Sequence, residues 1–424
     1  MNCQFPDSRL VAAYSGGTVW ASHPLPWLSW YASVEVLNCT ISYNGITKGA
    51  RLPGYPMRQR LKTAGLAEIA DKVESRERLS FEDAVTLFES TDLLALGWIA
   101  NRERERRHGD RTYFNHNLRL EATNVCEASC LFCSFARLKE GDAGAHTMTI
   151  EQVFAKLRQR ADQPLTEIHI VNGLHPGLPF SYYTDLLTGL KQIRPGIHMK
   201  CFTAVEIAFF ADHYGKTDRQ VLVELKAAGL DSLPGGGAEI FAPRVRLKIC
   251  HDKCDGARYL AIHRTAHELG MRTNVTMLYG HIETTEERVD HLLQTRALQD
   301  DTGGLQAFIP LAFHPDHNQM RKLPAPAASE TLKVHAVSRL VLDNVDHIKA
   351  YWISCGVEVA QTALWFGADD LDGTVQEETI YHMAGSSTPT ALSTDDIEQL
   401  IRDAGREPIE RDTLYNVVRV PALR

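Results

Sequence analysis

The chain has 424 residues, of which 44% are apolar and 23% are charged, the composition of an ordinary globular protein. Its formal net charge is −8 and its basic residues form no dense patch, so the sequence predicts no nucleic-acid partner. No stretch reaches the ~18 uninterrupted apolar residues of a membrane span and no secretion signal is recognisable, so we expect a cytoplasmic protein without a membrane partner.

Residues 1–56 lack the periodicity of a helix or a strand, and Pro, Ser, Trp and Gly interrupt them throughout. Two interpretations of this atypical segment stay open. It is either a specialised N-terminal extension or, as we favour, sequence upstream of a natural start at Met57. From residue 57 to residue 111 the pattern is helical. One apolar helix face covers residues 60–73, Ser80 begins a Ser-x-x-Asp capping box, and a third helix covers residues 93–104.

Beyond residue 112, short predicted strands alternate with amphipathic helices. The strands cover residues 118–122, 167–171, 199–203, 232–233, 273–278, 306–311, 348–352 and 368–371. The helices between them cover residues 150–160, 182–193, 219–228, 256–269, 286–298, 329–343 and 357–366. This alternation predicts an α/β fold, a TIM-like (β/α)8 barrel over residues 112–374, with its catalytic face at the carboxyl ends of the strands. A small helical extension over residues 375–424 is expected to follow.

Three cysteines, Cys126, Cys130 and Cys133, come directly after the first predicted strand of the barrel. Thiolates are the soft ligands that iron–sulfur clusters prefer. Four cysteines would saturate a 4Fe-4S cluster, whereas three leave one iron open to a small molecule. Structural zinc sites use four ligands, and no fourth candidate stands at a suitable spacing. The spacing therefore predicts a 4Fe-4S cluster, and we interpret Cys201, Cys250, Cys254 and Cys355 as free thiols.

At these cysteines the chain resembles the radical S-adenosylmethionine (SAM) superfamily. The resemblance implies that SAM binds the open iron and is cleaved by one electron to methionine and a 5′-deoxyadenosyl radical. A turn after the second strand would lie at the SAM amino group, although Asn172 and His175 depart from the superfamily pattern there. The positions implied to contact SAM are Phe132, Asn172, Gly173, His175, Glu206, Gly280 and Glu283.

Six further segments are similar to the aminofutalosine synthases of menaquinone biosynthesis: residues 144–148, 202–207, 233–241, 277–284, 347–352 and 367–374. The similarity extends over residues 60–415. It implies a transferase in which the adenosyl radical adds to the enol ether of 3-(1-carboxyvinyloxy)benzoate. The aryl group then migrates, carboxylate leaves as bicarbonate, and 6-amino-6-deoxyfutalosine forms. An external electron donor such as flavodoxin or ferredoxin would be the protein partner.

That substrate carries two carboxylates, so cationic or hydrogen-bonding groups should line the mouth of the barrel. The candidates are His175, His281, His314 and Arg339, although each histidine has the alternative of a buried structural imidazole. Asp370 and Asp372, beside the eighth strand, would bind nucleoside hydroxyls or merely cap a helix.

Two alternatives share the same cysteine motif and barrel: a dehypoxanthine futalosine cyclase and a subunit of the synthase that makes the deazaflavin precursor of F420. A third alternative, from another class, is a non-catalytic iron–sulfur protein. Such a protein would not need polar residues at the ends of several strands and would not cleave SAM under reduction.

Overall fold

The computed structural model describes residues 54–421, with side chains from residue 57 onward. The interpretations of residues 1–56 therefore concern sequence that lies almost entirely outside the described residues. Four helices open the described chain: Gly54–Thr63 (α1), Ala67–Ser75 (α2), Phe81–Glu89 (α3) and Leu93–His108 (α4). The predicted capping box is confirmed, because Ser80 Oγ accepts the Asp83 amide at 3.2 Å and the Asp83 carboxylate accepts the Ser80 amide at 2.9 Å.

The strand Arg111–Asn115 (β1) belongs to a second sheet, whereas the next seven strands form the principal sheet. These seven are all parallel and lie side by side in chain order. They are Asn117–Leu120 (β2), Glu167–Ile170 (β3), His198–Cys201 (β4), Ser232–Leu233 (β5), Arg272–Tyr279 (β6), Leu305–Ala312 (β7) and His347–Ile348 (β8).

Helices connect these strands, as parallel pairing requires. Threonine caps begin several of them: Thr149, Thr203, Thr217 and Thr284 each accept the amide three residues later, an interaction worth about 1 kcal/mol. The helices are Ile150–Arg158 (α5), Phe180–Ile193 (α6), Ala204–His213 (α7), Asp218–Ala228 (α8), Pro243–Ile249 (α9), Gly256–Glu268 (α10), Thr285–Thr302 (α11), Ala328–Val341 (α12), Trp352–Cys355 (α13) and Val357–Ala363 (α14).

The last part of the described chain completes the second sheet, whose strand order is β11-β10-β1-β9. A helical extension was predicted here, and helices are present, but two strands that the sequence pattern did not predict lie beyond them. The elements are Asp370–Gly373 (β9), Ile380–Met383 (α15), Thr394–Asp403 (α16), Glu407–Arg411 (β10) and Val417–Arg419 (β11).

The predicted barrel class is confirmed, with one difference in its eighth strand. That strand pairs with β1 in the second sheet, so the principal sheet is a curled half-barrel of seven strands. Isolated bridges from Asp370 to Lys349 and from Gln376 to Leu118 still join this segment to the two outer strands, β8 and β2. The pairing with β1 requires glycine at residue 373. A Cβ at this position would lie 2.2 Å from the Asn115 carbonyl oxygen on β1 and would collide with it.

Alternate residues along the strands of the principal sheet point inward, as the pleat of a strand requires. On β6 these are Asn274, Thr276 and Leu278, and on β7 they are Ile309 and Leu311. Their side chains face an internal space toward the carboxyl ends of the strands. Between residues 54 and 421, no helix has both the length and the apolar character needed to cross a membrane.

Candidate active site

A cavity of about 260 Å³ lies inside the principal sheet, and it brings together many of the residues predicted from the sequence. Most of them follow β2, β3, β4 and β7, and one lies on β9, which places the cavity at the catalytic end expected of such barrels. The predicted residues that line it are Cys126, Cys130, Phe132, Cys133, Asn172, Gly173, Glu206, His314 and Asp372.

The three cysteines lie on one tightly folded loop after β2. The Cys126 amide donates to the Arg137 carbonyl at 2.8 Å, and the Cys133 amide donates to the Cys130 carbonyl at 3.1 Å. The Ala136 amide points at Cys133 Sγ at 3.3 Å, a contact that stabilises negative charge on the sulfur. None of the seven cysteines between residues 54 and 421 forms a disulfide.

Burial raises the pKa of the Cys126 thiol, and it raises that of Cys130 to about 12. Both side chains would therefore stay protonated in this cavity unless a strong positive charge bound them. A metal centre supplies that charge, since its ligands must be thiolates. The donor set and its burial thus fit an iron–sulfur cluster held by Cys126, Cys130 and Cys133.

Lys253 and Glu239 also line the cavity beside the cysteines, and neither was predicted as a site residue. Lys253 Nζ contacts the Glu239 carboxylate at 2.8 Å and lies 5.2 Å from the centre of the Phe132 ring. Its positive charge acts to lower the pKa of Cys130 against the effect of burial. More than a hundred residues separate this lysine from the cysteine loop in the sequence, so only the fold brings the two together.

The turn after β3 is anchored by Glu206 at the start of α7. The Glu206 carboxylate accepts the Asn172 amide at 3.0 Å and the Thr203 amide at 2.7 Å. Burial raises the pKa of Glu206 to about 7, although both amides oppose the shift. Asn172 in turn accepts the Ala122 amide at 2.8 Å, while its buried Nδ2 has no protein partner. Glu206 therefore positions the turn, and Asn172 directs a free donor group at the cavity.

Gly173 brings this turn against the cysteine loop. Its amide donates to the Thr123 carbonyl at 2.8 Å, and a Cβ at this position would lie 2.2 Å from the Val125 carbonyl oxygen. His175 is buried just beyond the cavity lining, where its Nδ1 accepts the Gly177 amide at 3.0 Å. The turn that was predicted to contact SAM thus packs on the cysteine loop, and the His175 ring is hydrogen-bonded within that turn.

The residues predicted to contact SAM or substrate after β6 lie outside the cavity lining. Glu283 accepts the Gly280 amide at 2.5 Å and the His281 amide at 2.9 Å, and Arg288 contacts its carboxylate at 2.7 Å. His281 Nε2 pairs with the Leu278 carbonyl at 3.0 Å. These groups satisfy one another and close a turn, so the structure does not bring Gly280, His281 or Glu283 to the cavity.

The structure places two predicted substrate residues, Arg339 and Asp370, in buried ion pairs outside the cavity lining. Arg339 lies on α12, where its guanidinium contacts Asp369 and donates to the Gly367 carbonyl at 2.9 Å. Asp370 accepts a hydrogen bond from Arg411 Nε at 2.7 Å. All of these charged side chains are fully buried. They join β9 to α12 and β10 rather than facing a ligand.

His314 and Asp372 do line the cavity. His314 Nε2 donates to the Ser354 carbonyl at 2.7 Å, which fixes the ring at the mouth. Asp372 contacts Lys349 Nζ at 2.7 Å and Arg119 Nη2 at 3.1 Å. Neither cation was predicted as a site residue. The signal that could have found them is a charged residue between apolar neighbours in a strand, as at Leu118-Arg119-Leu120 and Ile348-Lys349-Ala350.

The chain matches two protein-family models that together span most of its length. The radical SAM superfamily model matches residues 120–295, and the model of the CofH/MqnC C-terminal region matches residues 302–423. Among solved structures, methylornithine synthase aligns with a TM-score of 0.62 at 18% identity, covering 80% of this chain and 96% of that chain. This likeness shows the fold.

Three curated relatives are similar over most of the chain. An aminodeoxyfutalosine synthase of Thermus thermophilus is 50% identical, covering 84% of this chain and 96% of that protein. One of Streptomyces coelicolor is 47% identical, covering 84% of this chain and 95% of that protein. A cyclic dehypoxanthine futalosine synthase of Halalkalibacterium halodurans is 36% identical, covering 83% of this chain and 94% of that protein.

Proposed function

The chain belongs to the aminodeoxyfutalosine synthase family of radical SAM enzymes, and we propose that it joins SAM to 3-(1-carboxyvinyloxy)benzoate in menaquinone biosynthesis. Carbon 5′ of SAM would bond to the vinyl carbon and the aryl group would migrate from oxygen to carbon. With water, the carboxylate leaves as bicarbonate, and 6-amino-6-deoxyfutalosine and methionine are released. The observation that carries this proposal is the convergence of three free cysteines and the Asn172 turn on one internal cavity.

Cys126, Cys130 and Cys133 would hold the cluster. When bound there, a reduced 4Fe-4S cluster would supply the electron that cleaves SAM and a binding position for the SAM methionine group. Asn172 would hydrogen-bond SAM through its free Nδ2, because that buried donor has no protein partner. Gly173 would keep the turn close to the cluster loop, and Phe132 would pack beside it.

The other walls of the cavity would protect the reacting groups. Leu278, Ile309, Leu311 and Phe313 contribute apolar surface to the cavity. An apolar wall excludes water, which reduces unwanted side reactions of a reactive intermediate. His314 would remain at the mouth as a hydrogen-bonding group for the polar ends of the two substrates.

The reaction also needs a protein that delivers single electrons at low potential. We infer a flavodoxin or a ferredoxin in the cytoplasm, since these carriers serve the radical SAM enzymes that the chain resembles. The cysteine loop would receive the electron.

The proposed activity is tested by incubating the reconstituted enzyme with SAM and dithionite under two conditions. One contains 3-(1-carboxyvinyloxy)benzoate and the other contains dehypoxanthine futalosine, with products identified by mass spectrometry. We expect 6-amino-6-deoxyfutalosine in the first and no turnover of substrate in the second. Turnover of dehypoxanthine futalosine alone would assign the chain to the cyclase reaction instead.

A further inference from the structure

Three basic side chains form a row across the inner face of the principal sheet. Arg119 on β2 pairs in register with His169 on β3, and His169 pairs in register with Lys200 on β4. Partners in register on parallel strands point to the same side of the sheet, and all three side chains line the cavity. Arg119 precedes Cys126 by seven residues and still lies within its strand, so this row is deeper in the barrel than the cysteine loop.

The charges around this row do not cancel. Lys200 Nζ pairs with Glu167 at 2.6 Å, whereas Lys349 and Arg119 share the single carboxylate of Asp372. Glu378 also lines the cavity, but its carboxylate pairs with His382 Nδ1 at 2.9 Å, and burial raises the pKa of nearby Glu121 to about 8, which keeps that carboxyl group neutral. The three cations therefore face only the carboxylates of Glu167 and Asp372. His169 adds no charge, because burial and the neighbouring Arg119 hold its pKa well below the usual range. The inner end of the cavity thus carries one positive charge that the described residues leave uncompensated.

Two buried polar atoms at this end also lack a partner. They are Arg119 Nε and Tyr351 Oη, and both residues line the cavity. The Arg119 guanidinium carbon lies 5.0 Å from the centre of the Tyr351 ring, so the two side chains pack against each other. Buried donors without a partner, beside an uncompensated positive charge, are suited to bind an anion that accepts hydrogen bonds.

The shape of the cavity indicates which anion fits. The inner row is faced by the apolar side chains of Ile309 and Leu311, and Tyr351 adds an aromatic ring. A flat aromatic acid would place its ring on this surface and its carboxylate at Arg119. The vinyl group of the proposed substrate must lie near the cysteine loop, which leaves the ring carboxylate as the group that reaches the inner end.

We propose that Arg119 and Tyr351 bind the benzoate carboxylate of the substrate, with Lys349 providing the second positive charge. Asp372 is then a positioning residue, which holds Lys349 and Arg119 in place instead of binding nucleoside hydroxyls. The proposal rests on the proposed function for the identity of the aromatic acid. The existence of a buried site for an aromatic carboxylate is argued from the lining of the cavity alone.

The test compares two ligands in an equilibrium binding measurement without reductant. One is 3-(1-carboxyvinyloxy)benzoate and the other is 2-phenoxyacrylate, which lacks only the ring carboxylate. For Arg119→Gln we expect the affinity for the first ligand to fall by about 30-fold or more, as when one partner of a buried hydrogen-bonded charge pair is removed. The affinity for 2-phenoxyacrylate should not change.

A second variant keeps the test valid if Arg119→Gln does not fold. Tyr351→Phe removes one hydroxyl and little volume, and it should lower the affinity for the benzoate about 3- to 10-fold while sparing 2-phenoxyacrylate. Tyr183→Phe is the matched control, because Tyr183 is a fully buried tyrosine outside the cavity lining, and neither affinity should change.

Equal losses for both ligands, or no loss for the benzoate, would overturn this assignment. The outcome is independent of turnover, because binding is measured without SAM cleavage. If the enzyme made no 6-amino-6-deoxyfutalosine but discriminated between the two ligands as described, the proposed function would fail and the carboxylate site would stand.

Discussion

Replacement of Cys126 by alanine is expected to leave no measurable 6-amino-6-deoxyfutalosine and to remove the visible absorption of the iron–sulfur cluster. The same result is expected for Cys130→Ala and Cys133→Ala. With three cysteines, the loss of any one leaves two thiolates, which is fewer than the cluster of a SAM-cleaving enzyme requires. Iron and sulfide content, measured after anaerobic reconstitution, should fall together with SAM cleavage.

Cys254→Ala is the matched control for these variants. Cys254 is also a free cysteine and lies one residue from Lys253, but it does not line the cavity. Its iron content and product yield should equal those of the unmodified enzyme. Full cluster loading in Cys126→Ala would mean that this thiol is not a ligand, and the cluster assignment would then be wrong.

Gly173→Ala should lower both the free energy of unfolding and the cluster content. The added Cβ would lie 2.2 Å from the Val125 carbonyl oxygen and 3.0 Å from the Asn124 carbonyl carbon. Both contacts are with backbone, which cannot move away without displacing the adjoining Cys126. Overpacking of this kind costs about 1–3 kcal/mol. Chemical denaturation measures the first effect, and iron content per folded protein measures the second.

Gly196→Ala serves for comparison, because no atom lies within 4 Å of the position that its Cβ would occupy. Alanine at such a site leaves the free energy of unfolding unchanged or raises it by about 0.4–1 kcal/mol, because it lowers the conformational entropy of the unfolded chain. If Gly173→Ala matched Gly196→Ala in both stability and iron content, the close packing of the Gly173 turn on the cysteine loop would be disproved.

Features that depend on neighbouring residues could be predicted from the sequence. The cysteine spacing lies within eight residues, and the Ser80 capping box within four, so local pattern was sufficient for both. The alternation of strands and helices likewise predicted the parallel barrel. Its eighth strand was misplaced in the sheet, because a glycine at residue 373 allows β9 to pair with β1, and strand pairing is not visible in a periodic pattern.

Features that depend on partners distant in the chain could not be predicted. Arg339 and Asp370 resembled ligand-binding groups until the fold placed Asp369 and Arg411 against them. Conversely, Arg119 and Lys349 were missed, because their common contact with Asp372 requires strands from opposite ends of the sheet. Isolated charges within apolar strands are the signal to examine in related barrels.

The central claim is that SAM is a substrate whose carbon 5′ ends in the product, and one measurement tests it most directly. The reconstituted enzyme is supplied with SAM labelled with carbon-13 at carbon 5′, together with 3-(1-carboxyvinyloxy)benzoate and dithionite. We predict that the label appears in 6-amino-6-deoxyfutalosine, bonded to the former vinyl carbon, with one methionine released for each product. Recovery of the label as 5′-deoxyadenosine, in step with substrate consumed, would indicate hydrogen abstraction and contradict the account.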